Sequence, residues 1–119
     1  MAVFYQLSVI WVVDQHHLVK CRGLMRIIEP HHAGRDVALL LFFGFAQSLA
    51  RELQPQNIHV GHIVIDGGIA KDGDPRANER GPDGLLDPNA IADTYLALHR
   101  QQRSAWAWEI ELRPWIENF

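Results

Sequence analysis

Histidine is frequent in this chain, and its side chain can bind a metal ion or transfer a proton. Seven occur in 119 residues, and the adjacent pairs His16-His17 and His31-His32 suggest metal binding because imidazole is a common ligand. Adjacent residues on a regular element point in different directions, however, and the only acid at the helical i, i+4 spacing from any of them is Asp36. We therefore expect surface polar residues at these pairs and no metal site.

Two further histidines, His59 and His62, lie in an apolar stretch rich in β-branched residues. Residues three apart in a strand point to opposite faces of a sheet, so these imidazoles cannot bind one ion together. We expect packed or capped histidines at both positions.

Carboxylates also occur at suggestive spacings. Three lie in one polar stretch, namely Asp72, Asp74 and Asp83. The glycine and glutamate spacing of a calcium-binding EF-hand is missing there, so we expect a solvated loop. Glu109 and Glu111 share a strand face, but a glycosidase pair needs a cleft and a raised pKa. With Arg113 nearby, we expect a surface ion network.

Length and charge exclude several classes of protein. A chain of 119 residues builds one core, whereas a complete dinucleotide-binding sheet with its loops needs on the order of 200 residues. The 11 basic residues against 14 acidic residues give a formal net charge of −3, which offers no electrostatic footprint for nucleic acid. We expect neither a nucleic-acid partner nor a membrane partner.

Cysteine usage and apolar runs bear on location. A single cysteine, Cys21, excludes an internal disulfide and a four-cysteine zinc site, and favours a reducing, cytoplasmic location. No Lys or Arg precedes the apolar N-terminal run, so a secretory signal is not predicted. The second apolar run, 37–46, is half of the roughly 20 residues that cross a bilayer, and we interpret it as a buried helix.

The elements that must position these residues are clearest after residue 36. Apolar residues recur at i, i+3, i+4 and i+7 up to Leu53, and Pro55 disfavours a longer helix, so a helix is predicted over 36–53. Its turns 37–46 are apolar all round and need cover on more than one side. The nearly continuous apolar run 58–65 predicts a strand buried on both faces.

A second helix–strand pair follows the glycine turn Asp66-Gly67-Gly68 and a polar stretch, 71–84, expected to be an exposed loop. Asp87-Pro88 is a helix start, which predicts a helix over 88–102. Alternation of apolar and polar residues, including Trp106 and Trp108 on the apolar side, predicts a strand over 105–113. We expect this strand to lie parallel and adjacent to 58–65 through a right-handed crossover, with one more strand over 3–13.

Three segments, in this order and spacing, strongly resemble the C-terminal part of short-chain dehydrogenases/reductases (SDR): FAQSLARELQPQNIHVGHIVIDGGI, LLDPNAIADTYLALHRQ and SAWAWEIELRPW. The resemblance covers residues 44–119, whereas residues 1–43 form a divergent segment without it. It implies an α/β fold that is partial and Rossmann-like, the C-terminal helix–strand–helix–strand of a doubly wound parallel sheet.

The resemblance also implies hydride transfer with NAD or NADP, and most of the residues for that chemistry are missing. The family's glycine-rich phosphate turn has no counterpart, because the glycines before residue 60 are dispersed. The positions of the family's catalytic Tyr and Lys, four residues apart, fall near Arg35 and Leu39. Neither tyrosine of the chain has Lys four residues later, so we expect no catalytic residue here.

One family feature is retained at the level of the backbone. The turn after the buried strand resembles the Pro-Gly turn whose following main chain contacts the nicotinamide carboxamide, with Asp66 in place of the commoner Pro. Gly67 and Ile69 are the positions that the resemblance assigns to cofactor binding. The alternative is a strand terminator that binds nothing.

Two functions remain open. The chain is either an SDR-like oxidoreductase polypeptide, shortened or altered upstream of about Gly44 and inactive alone, or a noncatalytic interaction module derived from that fold. The first function implies that NAD or NADP is the family's cofactor but is not bound by this chain alone. In the family, long helices pair between subunits, so we expect a homo-oligomer or an assembly with an SDR-like subunit.

Overall fold

The structure is a computed structural model that describes residues 6–14, 26–28 and 35–117. Its strands are β1 (Gln6–Asp14), β2 (Arg26–Ile28), β3 (Ile58–Asp66) and β4 (Glu109–Leu112). Its helices are α1 (Arg35–Leu53), α2 (Pro75–Arg80) and α3 (Pro88–His99). Single turns of 3-10 helix follow α1 and α3, at Gln54–Gln56 and Arg103–Ala105.

The four strands form one mixed sheet in the order β2-β1-β3-β4. β3 and β4 are adjacent and parallel, which confirms the prediction for that pair. β1 pairs antiparallel with β3 along all nine residues, and β2 pairs antiparallel with β1. The whole sheet is therefore mixed rather than parallel, and the sequence predicted no direction for the N-terminal strand. Apolar alternation defines the faces of a strand but not the direction of its neighbour.

β3 is covered on both faces, as its nearly continuous apolar sequence predicts. On one face, Val60 packs against Ala46 and Ala50 of α1. On the other face, Ile63 packs against Leu98 of α3. The core is therefore a helix–sheet–helix sandwich centred on β3.

Helix α1 begins one residue before the predicted start and ends at the predicted Leu53. Only part of its apolar surface is covered by described residues, because Leu40 and Leu41 are each 69% exposed and Phe45 is 55% exposed. The position between residues 43 and 44, where the resemblance stops, lies inside this helix. No helix in the described part of the chain is long and apolar enough to cross a membrane.

The polar stretch 71–84 is not entirely loop as predicted, because it contains the six-residue helix α2. Asp74 caps this helix by accepting a hydrogen bond of 3.1 Å from the amide of Arg76, and Pro75 follows the cap. The same Asp-Pro signal starts α3, where Asp87 accepts from the amide of Asn89 at 2.9 Å. The pair Asp74-Pro75 therefore marks the start of a helix in the same way as Asp87-Pro88 does.

Helix α3 and strand β4 are both shorter than predicted. α3 ends at His99 rather than at 102, and β4 spans 109–112 rather than 105–113. Gln101 explains the shorter strand: its side-chain oxygen accepts from the amide of Ala107 at 2.8 Å, and its carbonyl accepts from the indole N–H of Trp106 at 3.2 Å. These bonds hold 106–107 outside the strand ladder.

Candidate functional site

The candidate site begins at Gly67, immediately after β3 and at the carboxyl end of the parallel pair. Its φ is +152°, a region that favours glycine, and a Cβ there would lie 2.5 Å from Cδ of Pro114. At Gly68 a Cβ would lie 2.8 Å from Cδ2 of Leu85. Both glycines therefore allow close contact between the turn and neighbouring chain segments.

Ile69 forms a parallel bridge with Leu86 beyond the glycine turn. The bridge uses the carbonyl of Gly68 and the amide of Ala70, which bond to Leu86 at 2.8 and 2.9 Å. The N–H and C=O of Ile69 itself therefore point away from Leu86. This orientation leaves the main chain of Ile69 directed toward the loop that carries α2.

The carbonyl of Ile69 already has a hydrogen-bond donor, because the guanidinium of Arg76 donates to it at 3.0 Å. Asp74 holds the guanidinium in place through an ion pair of 2.6 Å. The hydrogen bonds from Arg76 lower the pKa of Asp74 to about 2, so this carboxylate is ionised at neutral pH. A carboxamide binding here would find the Ile69 carbonyl already engaged.

The arginines near the turn are paired with carboxylates. Arg113 lies 2.7 Å from both Glu111 and Asp66, and these carboxylates raise the pKa of Arg113. The Glu111–Arg113 pair confirms part of the expected surface ion network, whereas Glu109 pairs with the buried His62 instead. Arg80 lies 2.8 Å from Glu117. Neither arginine is left as an uncompensated positive charge for a phosphate.

The positions that the resemblance assigns to Tyr and Lys lie in the first two turns of α1, where the chain has Arg35 and Leu39. Tyr95 is on α3 in the core formed with Ile63 and Leu98. Burial raises the pKa of its hydroxyl, and the residue four positions later is His99. The acid–base pair of the family is therefore not assembled around Tyr95.

His59 is 2% exposed and lies on the α3 face of β3. Its Nε2–H donates to the carbonyl of Ala107 at 2.8 Å, and its ring stacks on Trp106 with centroids 4.5 Å apart. The buried Nδ1 has no hydrogen-bond partner within the described part of the chain. Burial lowers the pKa of His59, the bond to Ala107 partly offsets this, and His99 lowers it further.

His62 is completely buried on the opposite face, beneath α1. Its Nδ1 lies 3.2 Å from Oε2 of Glu109, its cross-strand neighbour on β4. The rings of Phe42 and Phe43 pack edge-on, with centroids 5.4 and 4.8 Å from that of His62. Burial lowers the pKa of His62, whereas Glu109 raises it by a smaller amount. The expectation of packed histidines on opposite faces is confirmed.

Metal binding has no support among residues 40–117, whose side chains the structure describes, because no group of three or more His, Cys, Asp or Glu there could hold an ion. The aspartates of the 71–84 stretch do not form a group that could hold a metal ion. One of them, Asp74, caps helix α2. The pairs His16-His17 and His31-His32 lie outside the described residues.

Two contacts were missed by the sequence interpretation. One is the pairing of Glu109 with His62, because Glu109 was assigned to the surface network alone. The parallel pairing of the two strands was predicted, but the register that places these residues side by side has no sequence signal of its own. The other is Arg76 on the Ile69 carbonyl, which depends on the fold of the 71–84 stretch.

Comparisons with known proteins found no relative of this chain. No protein-family model, no curated protein and no solved structure matches the chain.

Proposed function

We propose that residues 44–119 are the C-terminal helix–strand–helix–strand unit of an SDR-type, Rossmann-like fold. The observation that supports this proposal is the order α1–β3–α2–α3–β4, in which the short α2 precedes α3, with β3 parallel to β4 and α1 and α3 on opposite faces of β3. The glycine turn at the carboxyl end of β3 adds to it, because ligands of open α/β sheets bind at that end of the strands. NAD or NADP is the cofactor class that this proposal implies for the family.

The chain alone, in this proposal, transfers no hydride. The glycine-rich phosphate turn is missing from the sequence, and Arg35 and Leu39 replace the acid–base pair. Residues of a catalytic set act as a unit, so losing one member commonly costs several orders of magnitude in rate. The remaining cofactor contact is the main chain of Ile69, whose carbonyl is already bound by Arg76.

A carbonyl-reduction assay tests this proposal. Purified protein is incubated with NADH or NADPH and a panel of aldehydes and ketones, and oxidation of the nicotinamide is followed. We expect no rate above that of a heat-treated sample. The proposal is wrong if turnover is observed in wild type and is lost in Ile69→Pro, which removes the amide N–H, while Ile69→Val retains it.

A second candidate function is a noncatalytic interaction module, in which α1 binds a second copy of this chain or an SDR-like subunit. The observation that favours it is an exposed apolar stripe on α1, which we define as Leu40, Leu41 and Phe45. Exposed apolar patches of this kind mark sites of protein–protein association. The two functions are compatible, because an inactive unit retains its subunit-binding helix.

A further inference from the structure

His62 connects three elements of the fold at one buried position. It belongs to β3, it bonds through Nδ1 to Glu109 of β4, and it contacts Phe42 and Phe43 of α1. The side chain is 0% exposed. Any change in the charge of this ring therefore acts on the contact between α1 and the sheet.

The site fits a neutral imidazole but not a cation. With Nδ1 donating to Glu109, the second nitrogen, Nε2, is buried and has no hydrogen-bond partner among the described residues. A neutral ring leaves a lone pair there, whereas a second proton would create a buried N–H donor with no acceptor among the described residues. A buried donor without an acceptor is costly, and it disfavours the packed arrangement.

The charged groups around His62 do not compensate for this. Glu109 faces it from β4 but binds the other nitrogen, and its side chain is 34% exposed. Glu111, two residues along β4, is bound to Arg113. Tyr95 and the other titratable side chains of α3 belong to the opposite face of β3.

The remaining described neighbours on α1 and β3 supply no counter-charge. The α1 stretch 37–50 contains no charged residue. On β1 the residue paired with His62 is Ile10, and the only charged residue of that strand is Asp14, paired with Ile58 at the far end of β3.

We propose that His62 is a pH-sensitive switch for α1, in which uptake of a second proton releases the turn that carries Phe42 and Phe43 from the sheet. The rest of α1 stays in place through the contact of Ala46 and Ala50 with Val60, which involves no titratable group. Acid then exposes apolar surface at the N-terminal half of one helix, without unfolding the sheet. The proposal does not depend on the SDR-type function.

Amide hydrogen exchange of the full chain tests the switch, measured between about pH 5 and 7.5 and corrected for intrinsic rates. We expect the protection of amides in 40–46 to fall as the pH decreases below about 6.5, by at most tenfold per pH unit for one proton. Amides of α3 near Leu98 should stay protected over the same range.

Two variants provide the controls. His62→Asn retains an N–H donor for Glu109 but cannot take up a second proton, so its 40–46 protection should be independent of pH. His59→Asn changes the matched buried histidine on the opposite face and should retain the wild-type pH dependence in 40–46. The proposal is overturned if the wild type shows no pH dependence there, or if α1 and α3 lose protection together.

Histidine NMR titration of the wild type keeps the test decisive if His62→Asn fails to fold. The switch requires His62 to titrate below the ordinary value of about 6.5, together with chemical-shift changes in Phe42 and Phe43. Titration at or above that value with both phenylalanines unchanged would overturn the proposal.

Discussion

Two buried histidines on β3 make the stability of this protein depend on pH at the residue scale. His59 and His62 both have a lowered pKa in the folded chain, chiefly because of burial. Below the unfolded value of about 6.5 the unfolded chain binds protons that the folded chain does not, so acidification favours unfolding. Their stabilising contribution is complete above that value and is lost as the pH falls.

We therefore predict that the free energy of unfolding decreases as the pH is lowered from about 7.5 to 5, by at most about 1.4 kcal/mol per pH unit per histidine. Urea unfolding at a series of pH values measures this. In the double variant His59→Asn/His62→Asn, the free energy of unfolding should no longer depend on pH in this range. Asp74, whose pKa is lowered from 3.8 to about 2, stabilises the fold above pH 3.8, and this stabilisation is lost only at more acidic pH. Stability that is constant or rises on acidification would contradict the prediction.

Gly67 provides a second prediction at this scale. In Gly67→Ala, the new Cβ would lie 2.5 Å from Pro114 Cδ at a φ of +152°, so we expect a loss of about 1–3 kcal/mol in the free energy of unfolding. Gly44→Ala is the control, because that position is helical and a Cβ there meets nothing within 4 Å. It should stabilise the protein by up to about 1 kcal/mol. Equal effects of the two changes on a urea unfolding curve would refute this explanation of Gly67.

Sequence pattern predicted the residue-scale site only in part. The position of the glycine turn followed from the end of the apolar run at Ile65. The bond from Arg76 to Ile69 did not, because it requires the α2 segment to fold back over residues seven positions earlier in the chain.

The elements were more predictable than their partners. Periodicity and Pro55 located α1, and the continuous apolar run located β3 within one residue. The Asp-Pro signal located α3 and was overlooked for α2. No local sequence pattern predicted that β1 pairs antiparallel with β3. β1 and β4 pair with opposite edges of β3, and both edges present the same backbone N–H and C=O groups.

The close contact between β3 and α3 is testable at the element scale. A Cβ at Gly61 would clash with Cδ2 of Leu98, which is 1% exposed. Leu98→Ala should cost about 2–5 kcal/mol, whereas Gly61→Ala should be destabilising alone and nearly neutral in the Leu98→Ala background. Leu96→Ala, at an exposed site on the same helix, is the control and should show no coupling to Gly61→Ala. Additive effects of Gly61→Ala and Leu98→Ala in urea unfolding would refute the contact.

Both parts of the chain contribute to one sheet at the scale of the whole molecule. β1, from the segment without family resemblance, pairs with β3 along nine residues, and α1 crosses the position where the resemblance begins. The sequence predicted a strand in that segment over 3–13; residues 6–13 lie in β1, and residues 3–5 lie outside the described residues. Its direction makes the sheet mixed, which the resemblance did not imply.

The exposed stripe on α1 leads to a prediction about assembly. We expect dimers or larger species in sedimentation at micromolar concentration, and a shift toward monomer in the Phe45→Glu variant. Leu96→Glu, which places the same charge on an exposed residue of α3, should leave the distribution unchanged. A wild-type monomer at these concentrations, or equal effects of both variants, would contradict a role of α1 in self-association.

Titration with NADH and NADPH, followed by nicotinamide fluorescence and by the backbone NMR signals of Gly68 and Ile69, tests the central proposal most directly. One main-chain hydrogen bond contributes roughly 1 kcal/mol, well below the 4 kcal/mol or more that association costs, so we predict no saturable binding of either nucleotide. Weak shifts confined to the Gly67 turn would agree with a retained carboxamide contact. Saturation at micromolar nucleotide, with shifts extending into α1 and α3, would contradict the account and indicate a complete cofactor site.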